Sequence, residues 1–245
     1  MYILFSPSEA KAQNSTILKP FSLAFPELSK ARNEVLFRYL ALLEKSQTST
    51  LSSLFGVKNE KEIQALKETN PLSAYTQKAL FRYTGVGYAH LDPRSLSVDA
   101  LNFLENHLII FSNLFGPLLG GDTLPYYKLK QGQTLDGLAT QAYYKPLITP
   151  VLDSLLENHL IIDLRAGFYE KFYLPRTPYI RFIFLKNGKV VSHWAKAWRG
   201  KVARTLAFLQ PQTEEAFGRI IFEGLRIEEI QHKGVQKNYI FSIME

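Results

Sequence analysis

The sequence predicts a mixed α/β (α+β) protein, one mixed sheet flanked by helices in a single compact unit over residues 1–245. Three observations carry this. The run LENHLII occurs at Leu104–Ile110 and again at Leu156–Ile162, each time closing a helical pattern and opening a β-branched apolar run. An apolar segment, Met1–Phe5, breaks abruptly at Ser6-Pro7. No low-complexity linker divides the 245 residues, a length able to bury a sizeable core.

The elements follow in order. Met1–Phe5 lacks a basic flank and is too short for a signal peptide, so it reads as a first strand. Phe21–Glu44 has helical spacing of apolar residues, and Glu60–Thr69 is a further helix stopped by Asn70-Pro71. Pro71–Phe81 reads as helix with proline at its start. Tyr83–Tyr88 contains Gly85-Val86-Gly87 and reads as a loop or tight turn. In each copy of the repeat, Asn-His falls where a helix should end. Asparagine tolerates the left-handed cap and histidine suits a last turn, and Leu-Ile-Ile then opens a strand buried on both faces. The repeat is therefore scaffolding, with capping histidines. Tyr179–Leu185 and Lys189–His193 flank Asn187-Gly188, a hairpin signal. Trp194–Leu209 is a basic amphipathic helix ended by Gln210-Pro211, Thr213–Phe222 one more helix, and Asn238–Ile243 a terminal strand.

Composition narrows the chemistry. Cysteine is absent, which removes disulfides, thiolate nucleophiles, Cys-ligated metals and a thiol peroxidase. The five histidines show no i, i+4 pairing and no HExxH, so neither a dedicated transition-metal site nor a cofactor is expected. No run approaches the ~18 apolar residues of a membrane helix, and a soluble cytoplasmic protein is expected. Net charge is +7. Between Arg165 and Arg204, ten Lys/Arg face one acid, Glu170, leaving the remainder slightly acidic. Such a stretch points to a polyanionic partner: DNA, duplex or distorted, or a phosphorylated small molecule.

Ligands of open α/β sheets bind beyond the carboxyl ends of strands, so the segments after strands hold the candidates. Ser6-Pro7-Ser8-Glu9-Ala10-Lys11 gathers two hydroxyls, a carboxylate and an ammonium. In Ser192–Lys201, with Arg204 beyond, Lys196, Arg199 and Gly200 share a helix face. A glycine at 200 lets a backbone or ligand approach closely. Trp194 and Trp198, four apart, either stack on bases or pack in the core. Leu51-x-x-Leu54-x-Gly56-Val57, followed by Lys58, is similar to the turn of a helix-hairpin-helix element at about 36–69. There, backbone N–H groups meet DNA phosphates without reading bases; Lys58 stands where a second glycine is usual.

Five blocks now stand in a familiar order: FSPSEAK (Phe5–Lys11), Tyr83-Thr-Gly-Val-Gly-Tyr88, Ser112-x-Leu-Phe-Gly116 with Pro125-Tyr-Tyr-Lys128-Leu129, Asp163-Leu-Arg165 with Tyr169, and Val191-Ser192-His-Trp-Ala-Lys196-Ala-Trp-Arg199-Gly200. In order and spacing they resemble the YaaA family of bacterial peroxide-stress proteins over nearly the whole chain. Phe168-Tyr169 stands where other members carry Glu-Tyr. The resemblance implies that family's mixed α/β fold with a deep basic cleft. It also implies a role in limiting peroxide damage linked to lowering available iron, and DNA binding with a helix-hairpin-helix element.

Two functions follow as expectations. The first is a DNA-binding stress protein with phosphate contacts from Lys196, Arg199, Lys201 and Arg204, and Gly56–Lys58 as a second anchor. The second is an enzyme acting on a nucleotide, nucleoside or damaged base. Ser6, Ser8, Glu9, Lys11, Ser112, Lys128, Arg165, Tyr169 and Lys196 would then converge on a small anionic ligand at one sheet edge; Tyr83 and Ser192 are further nucleic-acid or anion-binding candidates. A lysine beside other cations would serve there as base or Schiff-base nucleophile.

Overall fold

The computed structural model describes residues 1–13, 17–18, 22–69, 71–72 and 75–244. Strands are β1 (Tyr2–Phe5), β2 (Ile17–Leu18), β3 (Tyr75–Lys78), β4 (Leu108–Ser112), β5 (Gly116–Leu119), β6 (Thr123–Leu124), β7 (Ile161–Asp163), β8 (Tyr179–Lys186), β9 (Lys189–Val190), β10 (Leu225–Lys233) and β11 (Gln236–Ile243). Helices are α1 (Ser29–Lys45), α2 (Thr48–Phe55), α3 (Glu60–Glu68), α4 (Ala79–Arg82), α5 (Val86–Leu91), α6 (Val98–His107), α7 (Thr140–Leu156), α8 (His193–Leu209) and α9 (Glu214–Gly218).

The main sheet runs β10-β11-β8-β7-β1-β4-β5, with β9 on β8. Its five inner strands are parallel, while β10, β5 and β9 are antiparallel edges. The two repeat copies supply both neighbours of β1. Ile3 pairs with Leu108 on one side and Ile162 on the other, so the copies sit two residues out of register. Ile3 and Leu4 are wholly buried; each side chain so enclosed contributes about 1.5–3 kcal/mol. Tyr2 lies against both repeat histidines, its ring 5.2 Å from His107 and 5.1 Å from His159. His107 Nδ1 also meets Phe103 O at 3.1 Å, and burial lowers its pKa. The cap itself differs between copies: Asn158 is left-handed at φ 61, whereas Asn106 stays helical and donates to Asn102 O.

Several expectations need correction. Within Pro71–Phe81 the described residues form β3, paired to β6 through Gln77–Leu124 and Lys78–Thr123, and only Ala79–Arg82 is helical. Thr76 and Gln77 are buried, so tertiary pairing overrides the helical spacing read there. The Gly85-Val86-Gly87 loop is a turn only as far as Gly85, at φ 99; Val86 starts α5. α9 stops at Gly218, and β10 was not foreseen, because its charged, exposed edge carries little apolar alternation. The Phe21 start of the first helical pattern, the Asn70 stop and residues 73–74 lie outside the described residues. No helix of the described residues is long and apolar enough to cross a membrane.

Candidate functional site

A cleft of about 380 Å³ opens beyond the carboxyl ends of β1 and β7, bounded by α5 and α8. Its floor comes from Phe5–Ala10, one wall from Gly85–Tyr88, another from Leu164, Ala166 and Tyr169, and a third from Lys196 and Arg199, with Gln131 at the rim. Ser6 stitches these pieces together. Its hydroxyl accepts from Ala166 N at 2.8 Å, and its carbonyl accepts from the Tyr88 hydroxyl at 3.0 Å. Ser8 Oγ accepts from Ala10 N at 3.2 Å. Glu9 Oε1 accepts from Gln131 N at 3.1 Å, which fixes the carboxylate at the rim of the cleft.

The α8 wall carries two cations, Lys196 and Arg199. Arg199 is largely enclosed, and burial, then the neighbouring Arg181 charge, lowers its pKa to about 10, so it stays protonated at neutral pH. Among the described residues no carboxylate or carbonyl pairs with it, nor with Lys196. Arg199 is held in place by an unusual helix contact. A Cβ on Gly200 would stand 2.0 Å from Gly87 O and 2.9 Å from Leu91 N, so α8 and α5 meet backbone to backbone. Gly200 thus admits a backbone, the first of the two alternatives the sequence left open.

Arg165 lies apart from the cleft lining. Its Nε and Nη2 clamp Asp163 at 2.9 and 2.7 Å, its Nη1 donates to Tyr169 O and Tyr173 O, and it rests 4.5 Å from the Phe111 ring centre. Burial alone pushes the Asp163 carboxyl up, but the Arg165 charge and hydrogen bonds hold it below its ordinary value. Lys11 sits behind the floor, not among the lining residues. Its ammonium donates to Ser8 O at 3.0 Å and lies 4.3 Å from the Tyr127 ring and 5.2 Å from Tyr83. Burial, then Lys128, push its pKa down to about 7, while Glu9 opposes and Arg82 adds to the fall. The two rings and the carbonyl favour the ammonium, so Lys11 is first a strut under the Ser6–Ala10 loop. Tyr83, Tyr127 and Ser112 form a buried hydroxyl chain at 2.7 and 2.8 Å; the Lys128 carbonyl accepts from Tyr39. Burial raises the Tyr169 phenol well above its usual value, keeping it protonated.

The other sequence candidates go elsewhere. Arg204 donates to Leu91 O and Asp92 O, closing the end of α5. Lys201 lies 4.1 Å over Trp198, which is buried, and Ser192 is exposed at the start of α8. The helix-hairpin-helix candidate is two helices, α2 and α3, joined by Gly56-Val57-Lys58-Asn59. The Gly56 and Val57 amides both close onto Ser52 O, the Lys130 stem covers Gly56, and Lys58 is exposed. Glu60 and Glu62 occupy the first turn of α3. Tyr88 and Gln131 line the cleft although sequence reasoning singled out neither as a ligand group. Gln131 carried no signal, while the two glycines before Tyr88 marked its neighbourhood. Among the described residues no three His, Asp or Glu side chains gather as metal ligands.

Fold and site together define a mixed α/β protein with a cleft at its strand ends, lined by both basic and acidic side chains. A family model described as peroxide stress protein YaaA matches residues 1–231, and the chain belongs to that family. It is 39% identical to the Campylobacter jejuni protein Cj0984 over the whole of both chains. It is 33% identical to the UPF0246 protein SCO2297 of Streptomyces coelicolor, over 84% of this chain and 82% of that one. A UPF0246 protein of Corynebacterium efficiens is 35% identical over 84% and 85%.

Proposed function

We propose that the protein serves its family's peroxide-stress role by holding a single phosphate-bearing unit of nucleotide size in this cleft, with Arg199 and Lys196 as the phosphate contacts. The observation that carries this is Arg199: an enclosed guanidinium facing a cleft with no acid paired to it. An unpaired charge in such a place is costly unless a ligand completes it. Convergence of Ser8, Glu9 and Tyr169 on the same cleft supports acid–base chemistry on that unit, the reading of an enzyme acting on a nucleotide, nucleoside or damaged base.

Contact with duplex DNA over an open basic face is the second reading. It is favoured by half-exposed Trp194, with Lys186 4.0 Å over its ring, on the first turn of the helix that carries Lys196. Against it stands the fate of the basic stretch. Arg165, Arg176, Arg181 and Arg204 pair with Asp163, Asp153, Glu170 and Asp92, and Lys171, Lys186 and Lys201 lie over aromatic rings. The Gly56–Lys58 turn adds little, since its amides are engaged and acids follow it. The family's iron-linked role would lie downstream of the cleft's ligand.

Salt titration of binding separates the readings. One or two phosphates give a log–log slope of about −1 to −2, and an extended duplex footprint a far steeper one. The cleft reading expects mononucleotides to compete with DNA and Arg199→Met to abolish both. Tight DNA binding that is steeply salt-dependent and indifferent to mononucleotides and to Arg199→Met would overturn it.

A further inference from the structure

The cleft carries basic and acidic side chains on different walls, and these ask for different groups on one ligand. Lys196 and Arg199 form the anion side. Glu9 is tied to Gln131 at the rim, whereas Arg199 belongs to the α8 wall. The two therefore line different walls of one cleft. The Glu9 Oε1 accepts from the Gln131 amide, which orients the side chain and leaves Oε2 as a further acceptor. A second phosphate there would be repelled. A pair of hydroxyls would be bound, because a carboxylate accepts two hydrogen bonds from a vicinal diol, as acidic residues do with ribose in dinucleotide folds.

We propose that Glu9 is a specificity-determining residue that accepts the cis-diol of a ribosyl unit whose single phosphate lies on Arg199 and Lys196, so that the ligand is a ribonucleoside monophosphate rather than a deoxyribose or polyphosphate compound. This rests on the phosphate reading of the cleft. Tyr169, in the lining of the same cleft, supplies an aromatic wall for the sugar or base.

The test is calorimetric titration of the full chain with AMP, UMP, their 2′-deoxy counterparts and inorganic phosphate. Wild-type protein should bind each ribonucleotide about tenfold or more tightly than its deoxy form, the loss typical of one hydrogen bond to a charged group. Glu9→Gln keeps an acceptor for the Gln131 amide but turns an NH2 toward the ligand. It should erase the ribose preference while leaving phosphate binding intact. Arg199→Met should weaken ribo and deoxy forms alike. Equal affinity of the two sugars for wild type, or a ribose preference that survives Glu9→Gln, overturns the assignment of Glu9 while sparing the phosphate site. Absence of binding by all five probes overturns the phosphate reading, and this inference with it.

Discussion

Arg165 lies behind the cleft lining and Arg199 within it, and their surroundings differ. Arg165, at the end of β7, is saturated by Asp163 and two carbonyls. Arg199, nearly two turns into α8, meets no such partner among the described residues. A buried guanidinium supplied with acceptors holds the fold together; a half-buried one without them is, on the proposed reading, free to take a ligand's phosphate. The count of basic residues in a segment does not distinguish the two, but the acceptors around each one do.

Breaking the first arginine should have the largest effect. Arg165→Met leaves Asp163 charged, buried and unpaired, and should cost about 3–5 kcal/mol by chemical denaturation. A loss below 1 kcal/mol would mean that the pair contributes little to the fold. Gly200→Ala comes next: its Cβ cannot fit beside Gly87 O, so α8 must move from α5, at about 1–3 kcal/mol or more. Phosphate affinity should fall too, because Lys196 and Arg199 travel with the helix. Gly87→Ala, whose Cβ would meet Lys196 O at 3.3 Å and the Phe5 ring at 3.7 Å, should be milder on both counts. The reverse order would move the tight contact elsewhere along the helices.

Arg199→Met sharpens the contrast. Stability should hold or rise slightly, since an uncompensated charge disappears, while phosphate binding is lost; equal losses of stability in Arg165→Met and Arg199→Met would erase the distinction. The smallest effect concerns Lys11. Its ammonium titrates near 7 in the fold and near 10.5 in the unfolded chain. The unfolded chain thus holds more protons between those values, and stability should climb as pH rises from 7 toward 10. The rings and the carbonyl, which favour the ammonium, reduce the climb. In Lys11→Met that rise should be absent, as read from denaturation midpoints across the pH series.

Much of the fold was legible because local chemistry set it. The Asn187-Gly188 hairpin has both residues at positive φ, α8 spans His193–Leu209 against an expected 194–209, and both repeat copies are helix followed by buried strand. β3 was missed because its pairing partner, β6, lies more than 40 residues away and overrode the spacing. Asp163 and Arg165 were one step from being read as a pair, since alternate positions at a strand end share a side. The partners of Arg176, Arg181 and Arg204 come from other elements, Asp153, Glu170 and Asp92, so the expected cationic field could not be discounted from sequence. The cleft groups after β1 were visible as a polar cluster following a strand. Their distribution between different walls was not, because it depends on how α8 is pressed against α5.

The position of β1 between the two repeat copies carries a cost in time. Ile3, Leu4 and Phe5 find their partners only at Leu108–Ile110 and Ile161–Asp163. At ribosomal speeds of about 5–20 residues per second, roughly 8–30 s separate the synthesis of β1 from that of β7. Even its first partner, β4, follows only after roughly 5–20 s, and until then this apolar segment has no strand to pair with.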